Sequence, residues 1–256
     1  MDANLAGSIA RSLDADPRLL DVLPELLADL DALGGDADEV VGALRGRVGA
    51  GARVVDIACG KGVISIALAE RLGAQVVGVD GMPVFVEDAR GRANAAGVGE
   101  LCEFRCGDVR CLSERDGLFD AALLIGAHDA LGGIAETVGA VRALVLAGGV
   151  MVIDDGFLVG ETDDVTLARS RTLEETRRLL TSHGDEIVEE RIAREEEQGE
   201  MDDRLTARIR ARAEGLAERR PELRELLEEY VRTQERAGTE LARTLRYAMW
   251  VMKKRG

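Results

Sequence analysis

Val54-Val-Asp-Ile-Ala-Cys-Gly-Lys-Gly-Val-Ile-Ser65 runs from a β-branched strand through a glycine turn into a helix start. Gly60 and Gly62 lack a Cβ, so the backbone there approaches a ligand closely. The helix that follows points its free amide groups at the same place. A dinucleotide fingerprint requires a third glycine three residues after Gly62, where a pyrophosphate meets the helix. That position is Ser65. Asp56, four residues before Gly60, repels a pyrophosphate and suits a ligand that carries an ammonium group.

Outward from this stretch, short apolar runs alternate with helical segments. Strands are expected at Arg53–Ala58, Ala74–Val79, Cys102–Cys106, Ala121–Ile125 and Val150–Ile153. Helices fall between them, through about Leu72, near Val84–Ala96 and near Ile134–Val145. Strands separated by helices of about 10–15 residues imply βαβ units and a parallel sheet. Asp56, Asp80 and Asp108 then stand at the carboxyl ends of successive strands, where open α/β sheets bind ligands.

These motifs resemble those of the class I S-adenosylmethionine-dependent methyltransferases, from about Arg53 to Ile153 and in the expected order. The first resembles an acid followed by Gly-x-Gly-x-Gly, with Ala58 in place of the first glycine. The resemblance implies that Asp56, Ala58, Cys59, Gly60 and Gly62 border the cofactor. It implies that Asp80, ending Val76-Val-Gly-Val-Asp80, binds both ribose hydroxyls, with Gly81 and Met82 along the adenine. Asp108 of Cys106-Gly-Asp108-Val109 resembles the acid that accepts the adenine amino proton. Phe119–Gly126 is similar to the fourth strand and Leu146–Asp154 to the fifth. The implied cofactor is S-adenosyl-L-methionine, with S-adenosyl-L-homocysteine as its product.

The resemblance implies an α/β, Rossmann-like seven-stranded class I methyltransferase sheet. N-terminal helices precede it, and a helical insertion separates its last two strands, an antiparallel hairpin at about 185–192 and 245–252. Before the sheet, Asp16-Pro17 signals a helix start, and Leu19, Leu20, Leu23, Leu26, Leu27 and Leu30 recur at helical spacing until Gly34-Gly35. Asp36 opens a second helix with Val40, Val41, Leu44 and Val48. Beyond the fifth strand, Thr172–His183 reads as a helix, and the charge-dense segment after Ile192 carries apolar stripes at helical spacing. The expected divisions are an N-terminal helical cap (1–49), a cofactor-binding core (50–192), a helical insertion (193–243) and a last core strand (244–256). The insertion is expected to act as a lid or a homodimer contact.

Composition limits the partners. The 256 residues are 46% hydrophobic and 32% charged, which excludes global disorder. The net charge is −15, and the first 160 residues hold 25 acids against 13 bases. Such a field repels a phosphate backbone, and seven aromatics provide few base-stacking platforms, so nucleic acid is not expected as a partner. The longest apolar stretch, Ala143–Ile153, is too short for a membrane helix, and no leader is visible at Met1. A cytoplasmic protein without membrane contact is expected. Cys59, Cys102, Cys106 and Cys111 do not have paired zinc-ligand spacing and read as small buried hydrophobes.

Methyl transfer is an in-line displacement, so an enzyme mainly positions and desolvates the partners, and a neutral acceptor also needs a base. Of the two histidines, His128 follows the fourth strand and is the candidate base, whereas His183 precedes a turn glycine. Asp154 and Asp155 resemble the metal-binding acids of divalent-metal O-methyltransferases. Their partner is displaced: Ile125 or Gly126 stands in its place and Asp129 comes later, so no metal ligand is assigned. The Asn/Asp-Pro-Pro-aromatic signature of amide and base N-methyltransferases is absent, which favours a small-molecule acceptor. Two other functions stay open on the residues, an NAD-dependent Rossmann oxidoreductase and a non-catalytic S-adenosylmethionine-binding protein.

Overall fold

The computed structural model describes residues 3–32, 34–127, 130–160, 171–236 and 244–256. Among them, seven strands form one sheet: β1 (Arg53–Ile57), β2 (Gln75–Asp80), β3 (Cys102–Cys106), β4 (Phe119–Leu124), β5 (Val145–Leu158), β6 (Glu186–Ile192) and β7 (Leu245–Lys253). Their order is β3-β2-β1-β4-β5-β7-β6. β1 pairs in parallel with β2 and β4, β2 with β3, and β4 with β5. The winding therefore reverses between β1 and β4, which opens a crevice at their carboxyl ends. β7 is antiparallel to β5, because the Gly148 amide donates to the Lys254 carbonyl and the Val159 amide to the Thr244 carbonyl. α4 (Val63–Leu72), α5 (Pro83–Ala95) and α6 (Ile134–Ala143) are crossovers of the parallel part.

Two compact units divide the chain. One comprises 32–155, 176–191 and 249–256. On one face of its sheet, Val54, Leu123, Val152 and Val251 pack with Ile64 and Leu68 of α4 and with Val40, Val41 and Leu44 of α3 (Ala37–Leu44). On the other face Phe104 packs with Ile66, Val86, Ala89 and Ala93. A polar clamp holds the chain end in this unit. The Arg142 Nε donates to both oxygens of the fully buried Asp185 carboxylate at 3.1 and 2.9 Å, and the Arg255 amide donates to the same group at 3.0 Å. Lys254 Nζ donates to the Arg142 and Val145 carbonyls at 3.0 and 2.6 Å.

The other unit comprises 1–31, 156–175 and 192–248. It contains α1 (Ala3–Ser12), the single-turn α2 (Leu23–Leu26) and two helices between β6 and β7, α8 (Glu195–Arg219) and α9 (Arg224–Arg236). Ile209, Ala213 and Leu216 of α8 and Leu227, Tyr230 and Val231 of α9 are buried. Along α8, Arg208 donates to the Asp29 carbonyl at 3.0 Å and Arg212 to its carboxylate at 2.6 Å, while Arg219 pairs with Glu25. A short α7 (Leu173–Leu180) lies at the boundary in sequence between the two units.

Two expectations are corrected. No continuous helix spans Leu19 to Leu30. Asp16 accepts the Arg18 amide at 2.8 Å, but it caps only a 3-10 turn at Pro17–Leu19. Pro24 has no N–H for the Leu20 carbonyl and its ring clashes there, so the run breaks before α2. Leu19, Leu23, Leu26, Leu27 and Leu30 are buried nonetheless. The cysteines are not all buried either: Cys59 and Cys102 are half-buried, and Cys106 and Cys111 are exposed. Cys106 ends β3, an edge strand whose flank lacks a neighbour to cover it, and Cys111 lies beyond that strand in a 3-10 turn. Among the described residues, no helix is long and apolar enough to cross a membrane.

Candidate functional site

The loop leaving β1 is built from backbone geometry that glycine favours. Ala58, Gly60 and Gly62 have φ of 60°, 51° and 75°. For Ala58 this left-handed conformation costs about 1–2 kcal/mol. The Cys59 amide donates to the Val79 carbonyl at 3.1 Å, which draws the loop against β2. A Cβ on Gly62 would lie 2.8 Å from Phe104 Cζ and 2.9 Å from Ala89 Cβ, so the bare glycine also lets the loop settle on β3 and α5.

Asp80 ties three loops together. Its Oδ2 accepts the Gly60 amide at 2.9 Å and its Oδ1 accepts the Met82 amide at 2.8 Å. Its backbone carbonyl accepts the Gly107 amide at 2.9 Å. Each carboxylate oxygen retains acceptor capacity after one such bond, and the pair is held in one orientation. Burial raises the Asp80 pKa, and the two amides oppose that shift.

Asp56 lies deeper, 2% exposed. Its Oδ2 accepts the Ser65 hydroxyl at 2.6 Å. Burial pushes its pKa up to about 6; the Ser65 hydrogen bond opposes the rise and the Asp80 charge adds to it. The same burial and the same two carboxylates keep Cys59 a thiol, well above its ordinary range. In the sequence alone Ser65 shows only as a missing glycine. Its position in the first turn of α4, beside the end of β1, was the available signal. Lys61, which no motif singles out, is 4% exposed, with its Nζ 6.0 Å from the Phe85 ring centroid.

The remaining candidates are engaged within the protein. Asp108 accepts the Arg110 amide at 3.0 Å, its Nε at 2.8 Å and its Nη2 at 2.6 Å. Asp16 holds Arg18 in the same way, so this is a recurring Asp-x-Arg cap on a 3-10 turn. Gly81 follows Asp80, Met82 is buried at the cap of α5, and Val109 is half-buried. Gly126 has φ 70°, donates its amide to both Asp154 oxygens at 2.9 and 3.1 Å, and touches Gly34 so closely that a Cβ would lie 2.7 Å from the Gly34 Cα. Asp154 thereby anchors the end of β4. His128 and Asp129 lie outside the described residues. His183 is exposed, with its Nε2 3.3 Å from the Ala135 carbonyl oxygen.

A parallel sheet that reverses at β1 and β4, with a glycine loop and oriented carboxylates at the reversal, defines a nucleoside-cofactor domain of the doubly wound α/β class. Residues 54–149 match a family model described as a methyltransferase domain. The ubiquinone biosynthesis O-methyltransferase of Methylocella silvestris is 36% identical over 104 residues, 40% of this chain and 38% of that protein. The 23S rRNA (uracil(1939)-C(5))-methyltransferase of Shewanella sp. strain ANA-3 is 46% identical over 59 residues, 23% of this chain and 13% of that protein. The chain thus spans less than half the length of these curated relatives. A crystal structure of a SAM-dependent methyltransferase from Thiobacillus denitrificans, in complex with S-adenosyl-L-homocysteine, shares the fold. Its TM-score is 0.78 at 23% identity, over 91% of this chain and 98% of that one. Residues 54–149 thus form a methyltransferase domain, and the fold around them is that of solved S-adenosylmethionine-dependent methyltransferases.

Proposed function

We propose that the protein transfers a methyl group from S-adenosyl-L-methionine to a small-molecule acceptor. The observation that carries this reading is the pair of buried carboxylates. Asp80 is oriented by two backbone amides, which suits the two neighbouring hydroxyls of a ribose. Asp56 is an anion in a dry site, which suits a ligand that is cationic at its amino-acid end. A pyrophosphate would meet two negative groups in the same place, which disfavours NAD. Asp108 belongs to the adenine side only if the amino group shares or displaces Arg110.

In the transfer, the acceptor's lone pair forms the new bond to the methyl carbon. The carbon–sulfur bond breaks with its electrons remaining on sulfur, leaving S-adenosyl-L-homocysteine. The protein's part is to align the two partners and exclude water. We assign the acceptor's proton to His128. His128→Ala should lower turnover by about 10²–10⁴ with little change in cofactor affinity. Unchanged turnover at every pH would remove that role. The net charge of −15 supports a small molecule over nucleic acid. Calorimetric titration with S-adenosylmethionine, S-adenosylhomocysteine and NAD tests the whole reading. The first two should bind and NAD should not, and binding of NAD alone would return the oxidoreductase alternative.

A further inference from the structure

We propose that Ser65 is a positioning residue for the cofactor, fixing through its hydroxyl the Asp56 carboxylate that recognises the cofactor's ammonium group. This rests on the reading of Asp56 given above. Ser65 is fully buried in the first turn of α4, whose cap residue, Gly62, has no side chain to offer. A serine in a helix commonly returns its hydroxyl to a carbonyl of its own helix. Ser65 instead directs its single proton across to Asp56 on the neighbouring strand, at 2.6 Å. That distance is in the range of a charge-assisted O–H···O⁻ bond. One carboxylate oxygen is thereby held by the protein, which sets the plane of the group.

The surroundings of Asp56 show why such a donor matters. β2 contributes the Asp80 charge, which opposes ionisation of Asp56. The loop contributes the Cys59 thiol and β3 the Cys102 thiol, both held protonated by burial and by the Asp56 charge. Its register partner on β4 is Leu123, which carries no charge. Ser65 is therefore the side chain that favours the ionised form, and its backbone amide acts in the same sense. Without the hydroxyl, Asp56 would ionise at a higher pH and turn more freely. Recognition of a cationic amino group would weaken, while the ribose end at Asp80 would be untouched.

The test compares S-adenosylhomocysteine with its desamino analogue, by calorimetry on the full chain at pH 7.5 and pH 5.0. The parent should prefer the amino compound by about tenfold or more at pH 7.5, the scale of a hydrogen bond to a charged group. The preference should shrink at pH 5.0, where Asp56 is protonated. Ser65→Ala should lose most of the preference at pH 7.5 and keep parental affinity for the desamino analogue, which also reports that the site is folded. Ser65→Thr, which retains the hydroxyl, should keep the preference. If Ser65→Ala keeps the parental preference, the proposal is overturned. Asp56→Asn, measured alongside, separates the two readings: its loss of preference confines the failure to Ser65, and its retention removes the role of Asp56 as well.

Discussion

An ionised carboxylate held out of water carries a stability cost, and Asp56 makes that cost measurable. Its folded pKa of about 6 lies above the ordinary 3.8, so the folded state holds the proton more tightly than the unfolded chain. Stability therefore falls as pH rises through that interval and stays reduced above it. Asp56→Asn should raise unliganded stability at pH 7.5 by roughly 3 kcal/mol and change it little at pH 4. Urea unfolding at the two pH values checks this, and an equal effect at both would contradict it. Ala58 offers a second case. Its φ of 60° strains an alanine, so Ala58→Gly should stabilise the protein by about 1 kcal/mol, visible as a higher urea midpoint. A lower midpoint would mean that the methyl group packs usefully.

Elements were legible wherever local chemistry and fold agreed. The β-branched run at 54–57, the acids at strand ends and the glycine turns placed β1 to β4 within a few residues of where they lie. The leucine run from 19 to 30 misled because its spacing is helical while Pro24 forbids the hydrogen bond that continuity needs. Asp108 is legible as an acid just past the end of β3, but its engagement by Arg110 depends on a side-chain geometry that spacing does not carry. Ser65 could be read as a departure from a fingerprint, and only folding reveals what its hydroxyl touches. The clamp on the chain end was wholly non-local, joining Arg142, Asp185 and Arg255. Arg142→Ala leaves Asp185 buried and short of a cation. It should destabilise the protein by about 3 kcal/mol, whereas Arg232→Ala, which removes an exposed pair with Glu229, should leave the unfolding midpoint almost unchanged. Chemical denaturation of both variants tests the contrast, and equal losses would contradict it.

At the scale of the whole molecule, the charge, the sheet and the two carboxylates point to one reading. An acidic surface and an anionic crevice favour a ligand that is cationic, and the glycine loop brings backbone close to it. The central claim is that Asp80 holds the ribose of S-adenosylmethionine or its product at this crevice. Its most direct test is the melting temperature of the parent and of Asp80→Ala, each with and without S-adenosylhomocysteine and with NAD as the control. A ligand at about 100 times its dissociation constant adds about 2.7 kcal/mol, enough for a rise of several degrees. The expected result is that rise in the parent with S-adenosylhomocysteine, none with NAD, and most of the rise lost in Asp80→Ala. An equal rise in the variant, or a rise with NAD alone, would contradict the account.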